Sequence, residues 1–196
     1  MKNINWKYVI YIVLGVFCIT SLVIFWTGEK SFTINFILDS ISTSVPIITF
    51  LACLFCSKLW KLKCFQKWLV LIPDINGTWT GTIESTWVNP ETGHSIDPIN
   101  AELVIHQFLF SITCFMKTSE MRSHSLCASL NIDFNSDISQ LIYTYTSTPK
   151  QTLQEKSRIH YGTALLNLEG NFNVSSMSGD YWTGRNTSGS IYLKRV

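Results

Sequence analysis

Three arginines in the second half of the chain stand close to imidazole, hydroxyl or aromatic side chains. His124 follows Arg122, His160 follows Arg158, and Tyr181, Trp182 and Thr183 precede Arg185. Guanidinium forks grip phosphate oxygens in pairs, and aromatic rings stack on flat bases. If these segments meet, they offer recognition of a ligand that carries phosphates and planar rings. The competing reading makes the arginines rim charges paired with Glu120, Glu155 and Asp180. His160 divides in the same way, between a satisfied inner-face histidine and a ligand contact, and the sequence leaves both pairs of readings open.

Catalytic patterns are missing. The chain holds no G-x-S-x-G, Walker loop or H-E-x-x-H, and no paired carboxylates stand at an evident inner position, so the expectation is a binding protein and not an enzyme. Of six cysteines, Cys18, Cys53 and Cys56 lie in apolar stretches, Cys64 follows a lysine-rich run, and Cys114 and Cys127 lack zinc-like spacing. Neither a metal site nor an oxidising compartment is called for. Charge is uneven: residues 1–72 carry net +5 and residues 73–196 net −3. A mildly acidic second half argues against a polymeric nucleic acid as partner.

The elements that must position these residues follow from periodicity. From Ile75 onward, segments of alternating apolar and polar residues recur between turn-like clusters, near 75–87, 100–108, 110–118, 122–134, 138–146, 158–169, 171–182 and 187–195. Eight sequential strands with short turns suit an all-β, up-and-down antiparallel, lipocalin-like barrel, which leaves no open edge and can hold one small ligand. Alternation in the fourth strand puts Leu126, Ala128, Leu130 and Ile132 inside, and extending that parity turns Arg122 and His124 inward. In the sixth strand Gly162, Ala164, Leu166 and Leu168 share the inner face with Arg158 and His160. If the first strand rises from the membrane side, the distal mouth collects Trp87, Arg122, His124, Tyr145, Arg158, His160, Tyr181, Trp182, Thr183 and Arg185. The candidate binding residues among them are Trp87, Arg122, Tyr145, Arg158, His160, Thr183 and Arg185. Gly77-Thr78-Trp79 looks like the Gly-x-Trp of lipocalin-type barrels, with the indole closing the near end and Arg195 placed to stack on it.

The first part, residues 1–72, reads as membrane segments, and residues 73–196 as the barrel domain. Tyr8 to Thr27 is free of charge and long enough to cross a bilayer core of about 30 Å. A second span runs from about Ser40 to Cys56 with Asp39 at its edge. Lys2 and Lys7 precede the first span, and Lys58, Lys61, Lys63 and Lys67 follow the second, whereas the connection holds only Glu29 and Lys30. The positive-inside rule then makes a two-pass topology with the N-terminus and barrel cytoplasmic. Trp60 and Trp68 among the lysines suggest an interfacial, amphipathic stalk that Pro73 ends. Ser42, Thr43, Ser44 and Thr49 in the second span either satisfy each other within one hairpin or join protomers.

The order of parts resembles the two-transmembrane, β-strand-rich effectors of bacterial CBASS anti-phage systems, STING-like receptors encoded beside a CD-NTase. The resemblance covers essentially the whole chain. It rests on the two spans, on Ile72-Pro73-Asp74-Ile75-Asn76-Gly77-Thr78-Trp79-Thr80-Gly81, on Ile159-His160-Tyr161-Gly162-Thr163-Ala164, and on Gly179-Asp180-Tyr181-Trp182-Thr183-Gly184-Arg185 with Thr187 and Gly189. It implies a barrel that binds a cyclic dinucleotide made by the partner CD-NTase, as activating ligand and with no other cofactor. Homo-oligomerisation through the spans and disruption of the bacterial inner membrane would follow. Among site residues, His160, Thr183 and Arg185 fall in the matching motifs. An alternative expectation is a membrane-anchored, lipocalin-like carrier of an apolar small molecule, and a third is a structural subunit whose barrel docks another protein.

Overall fold

The computed structural model describes residues 3–27, 33–88, 93–133, 135–151 and 158–196. Lys2, Glu29, Lys30, Pro90 and Glu155 lie outside the described residues, and with them the expected Arg158–Glu155 pairing. The chain divides into two compact units, one ending at Leu71 and the other covering Ile72–Val196.

The first unit holds two long apolar helices, α1 (Trp6–Thr27) and α2 (Ile34–Ser57), each long and apolar enough to cross a membrane. α2 starts earlier than expected, which places Asp39 inside it. Three hydroxyls of α2, those of Thr43, Ser44 and Thr49, find partners within the hairpin, whereas Ser40 Oγ is buried without one among the described residues. Ser44 donates to the Ser40 carbonyl at 2.6 Å and pairs with Thr20 of α1, while Thr43 and Thr49 donate to the carbonyls four residues back at 2.8 and 2.9 Å.

In the stalk the chain makes two single 3-10 turns, Leu59–Lys61 and Lys63–Phe65. A left-handed Lys67 at φ 74° then stops any helix from continuing. The segment after it runs beside the residues leading into α1: Asn5 N–H donates to the Leu69 carbonyl and Leu71 N–H to the Asn3 carbonyl, both at 2.9 Å. Trp60 is buried under the Lys61 ammonium rather than held at the surface, and only Trp68 stays partly exposed, edge-on to Tyr8 at 5.3 Å.

The second unit is a closed antiparallel barrel in sequential order. Its strands are β1 (Gly77–Ser85), β2 (Ile99–Gln107), β3 (Ile112–Thr118), β4 (Met121–Asp133), β5 (Ile138–Pro149), β6 (His160–Glu169), β7 (Ser176–Thr183) and β8 (Ser188–Arg195). The eight-stranded up-and-down barrel read from the periodicity is the observed fold. β1 stops at Ser85, so Trp87 lies past its end, and β7 starts late because Gly170 and Asn171 take positive φ of 105° and 51° in a turn. Register runs steeply: one inner row passes from His160 through Ser147, Ser123, Met116 and Leu103 to Trp79 and Arg195. That stagger is the tilt a closed barrel requires.

One irregularity decides the site. The β4–β5 register shifts between Ser125 and Cys127, a β-bulge that leaves Leu126 unpaired and 59% exposed. Ser125 Oγ takes the bond from the Cys114 N–H at 2.9 Å that a ladder carbonyl would otherwise accept. An extra residue flips the alternation beyond it. Below the bulge the expected Ala128, Leu130 and Ile132 do pack against the core. Above it Ser123 is buried, whereas Arg122 and His124 are exposed on the outer wall. The inward placement of Arg122, His124 and Leu126 is thereby corrected.

Candidate functional site at the far mouth of the barrel

The lumen changes character along its axis. At the end where β1 starts, Trp79, Leu103, Ile105, Leu141, Leu166, Met177 and Leu193 are each at most 2% exposed and form a packed apolar floor. Burying these side chains is the main favourable term in the barrel, about 1.5–3 kcal/mol apiece. The floor is closed by polar straps. Trp79 Nε1 donates to the Ile75 carbonyl at 3.0 Å, and the Arg195 guanidinium lies 5.3 Å from the Trp79 ring centre, donating to the Asn76 and Asp74 carbonyls. Gln107 accepts from the Ile75 N–H at 2.7 Å and donates to the Pro73 carbonyl at 3.0 Å. The Gly-x-Trp and Arg195 are therefore a structural seal.

At the opposite mouth the inner wall turns polar. Ser123, Ser147 and His160 are buried there, with Tyr145 beside them. Tyr145 and Tyr181 lie against the glycines they face across the ladder: a Cβ on Gly162 would meet the Tyr145 ring at 2.5 Å, and one on Gly189 would meet the Tyr181 ring at 2.8 Å. A strand glycine marks such a close approach. Burial first, and the neighbouring Tyr181 second, push the Tyr145 phenol up to about 12, so it remains a neutral donor.

The rim above this wall is an arc of consecutive strands. The Arg158 carbonyl accepts from His160 Nδ1 at 3.1 Å and from Arg185 Nη1 at 3.4 Å. Because a carbonyl only accepts, Nδ1 carries the proton, which leaves Nε2 as the acceptor of the neutral ring. Burial lowers the His160 pKa below its ordinary value; the bond to the Arg158 carbonyl opposes this, and the Arg185 charge adds to the lowering. Arg185 itself sits in the β7–β8 turn, where its N–H donates to Thr183 Oγ1 at 3.2 Å and Thr183 pairs with Thr187 at 2.6 Å. Thr86 bonds Ser188 through backbone and side chain, which holds the end of β1 and the half-exposed Trp87 next to that turn.

The structure therefore brings Arg158, His160, Thr183, Arg185 and Trp87 to one arc, with Tyr145 on the wall below. Arg122 stands apart on the outer wall, opposite Lys117 and Thr148 in the ladder. Sequence reasoning left out Ser123, Ser147 and the glycine cradles. The glycines were visible as Gly162 and Gly189, but only the ladder register shows which rings they face.

A shallow groove of about 660 Å³ lies on the outer wall, lined by Thr80, Glu102, Lys117, Lys150 and Lys194 among others. It offers cations but no aromatic ring to stack on a base, so the mouth is the better match to a ligand carrying both. Among the described residues, no group of three or more His, Cys, Asp or Glu is arranged to hold a metal ion.

Comparison with known proteins gives this geometry a context. Residues 70–195 match the family described as Cap15, cyclic dinucleotide receptor domain. The chain is 30% identical over 159 residues to CD-NTase-associated protein 15 of Staphylococcus schleiferi, covering 81% of this chain and 80% of the relative. It is 29% identical over 170 residues to CD-NTase-associated protein 15 of Escherichia albertii, covering 81% of each.

Proposed function

The chain belongs to the Cap15 cyclic dinucleotide receptor family, and on that premise we propose that its barrel binds a cyclic dinucleotide made by a partner CD-NTase as an activating signal in anti-phage defence. The observation that carries the reading is the far rim, where one carbonyl holds His160 and the Arg185 guanidinium side by side above a tyrosine-lined wall. Arg185 and Arg158 supply cationic forks for the phosphates, Thr183 a hydroxyl, and Tyr145 and Trp87 flat surfaces for the bases. The Arg122 guanidinium adds at most long-range attraction from outside. A packed apolar floor counts against the carrier reading, because side chains already occupy the lower lumen. No catalytic role is assigned to the mouth.

We further propose that the spans place the protein in the bacterial inner membrane with the N-terminus and barrel on the cytoplasmic side. Ligand binding favours a self-associated form, and the associated spans disturb the bilayer. A ligand can drive that step only by binding the assembled form more tightly.

The test is thermal unfolding of the full chain in nanodiscs against cyclic dinucleotides, cyclic trinucleotides, linear dinucleotides and fatty acids. A cognate ligand at a hundred times its Kd stabilises by about 2.7 kcal/mol. Stabilisation by one cyclic dinucleotide that Arg185→Ala removes is the expected result, and stabilisation by fatty acids alone would replace this reading with the carrier. Dye release from vesicles on adding that dinucleotide, with a parallel rise in cross-linked species, tests the effector half.

A further inference from the structure

On the barrel, the β2–β3 turn carries two exposed phenylalanines at the end away from the mouth. Residues 103–116 form a run of fourteen without a single Asp, Glu, Lys or Arg. At its tip the Phe108 N–H closes the turn on the Ser111 carbonyl at 2.8 Å. Leu109 tucks inward at 1% exposure while Phe108 and Phe110 stand out at 60% and 51%. Single exposed apolar residues are ordinary on soluble surfaces. Two phenylalanines on a charge-free hairpin acquire meaning from where the turn is tied.

Gln107, immediately before the turn, is bonded to the Ile75 N–H and the Pro73 carbonyl, the residues by which the chain enters the barrel. Leu71 in turn is bonded to Asn3, three residues ahead of the start of α1 at Trp6. Two residues of chain, from Leu71 to Pro73, reach at most about 7 Å. Covalent reach alone therefore keeps the base of the turn close to the first residues of an apolar helix. If that helix spans a bilayer, those residues lie at its surface.

We propose that Phe108 and Phe110 form an interfacial wedge that inserts into the headgroup–acyl boundary of the membrane. The proposal rests on the reading of α1 and α2 as membrane spans. A hairpin without charges enters that boundary with no ion to desolvate, and its aromatic side chains gain apolar contact. Together with the tether at Pro73, the wedge gives the barrel a second point of attachment.

The test uses the full chain in vesicles of phosphatidylethanolamine and phosphatidylglycerol, with photoreactive benzoylphenylalanine placed at 108, at 110 or, as control, at Trp182. Trp182 is similarly exposed at 50% but lies toward the other end of the barrel, roughly 20 Å away along the strands. After an alkaline wash and irradiation, the expected result is lipid adducts at 108 and 110 about tenfold above those at 182. Release of the chain by the wash would overturn the wedge and the span reading together. Retention with no lipid adduct above the control, or with adducts only to a second copy, would overturn the wedge and leave the spans standing.

Discussion

The floor and the mouth of this barrel share the same eight strands, yet they are built on opposite terms. In the floor, Leu103, Leu141, Leu166 and Trp79 are sealed from water, and the polar atoms near them are bonded to one another or to backbone. In the mouth, buried Ser123 and Ser147 stand on the inner wall, and a rim carbonyl is shared by His160 and Arg185. The apolar end supplies the stability that lets the polar end keep groups a stable core would exclude. Fold and recognition are thereby separated along the barrel axis, and mutations at the two ends should separate them as well.

The strongest way to sharpen that contrast is Leu166→Ala in the floor. It should lower stability by about 2–5 kcal/mol through the lost side chain and its cavity, with affinity for the cyclic dinucleotide unchanged once melting and calorimetry are compared below the transition. At the rim, Arg185→Ala should do the reverse. The melting temperature without ligand should hold while binding weakens by about 1.5–3 kcal/mol, the worth of a charge-assisted bond, and Arg185→Lys should recover only part because it lacks the paired fork. Equal loss of stability in this variant would break the proposed division.

Gly162→Ala sits between the two regimes. Its Cβ would fall 2.5 Å from the Tyr145 ring, so both stability, by about 1–3 kcal/mol, and binding should suffer. Unaltered binding would remove Tyr145 from the site.

A smaller effect is expected from pH. Burial lowers the folded pKa of His160, with Arg185 adding to it. Without ligand, the unfolded chain binds the proton more readily, so stability should decline as pH falls below about 6.5. An anionic ligand at Nε2 favours the protonated ring, so affinity should rise as pH falls through the same window. Titration calorimetry at several pH values should find this slope in the wild type and a flat profile in His160→Gln. Least of all should come from Arg122→Ala, exposed on the outer wall, with changes within about 0.5 kcal/mol in stability and little in affinity. A loss matching that of Arg185→Ala would mean that the ligand reaches over the rim.

Much of this architecture is legible in the residues. Alternation from Ile75 to Arg195 reveals eight strands, and short turns between them leave a sequential barrel as the natural closure. Chain direction sorts the turns into two ends, which is why Arg158, His160, Thr183 and Arg185 are rightly expected at one mouth. The stalk is less readable, because the extended pairing of residues 69–71 with 3–5 joins segments more than sixty positions apart.

The sequence by itself determined the strand number, their order and the two long apolar helices, because each follows from a local period or a length. Only the tertiary structure decided which side of the wall the residues before Ser125 occupy. A single unpaired residue, Leu126, reverses every side chain beyond it, and whether a strand bulges depends on its ladder partners. Here that means Ser125 Oγ accepting the bond from Cys114 on the neighbouring strand. Alternation can be read along one strand, but its phase is set between strands.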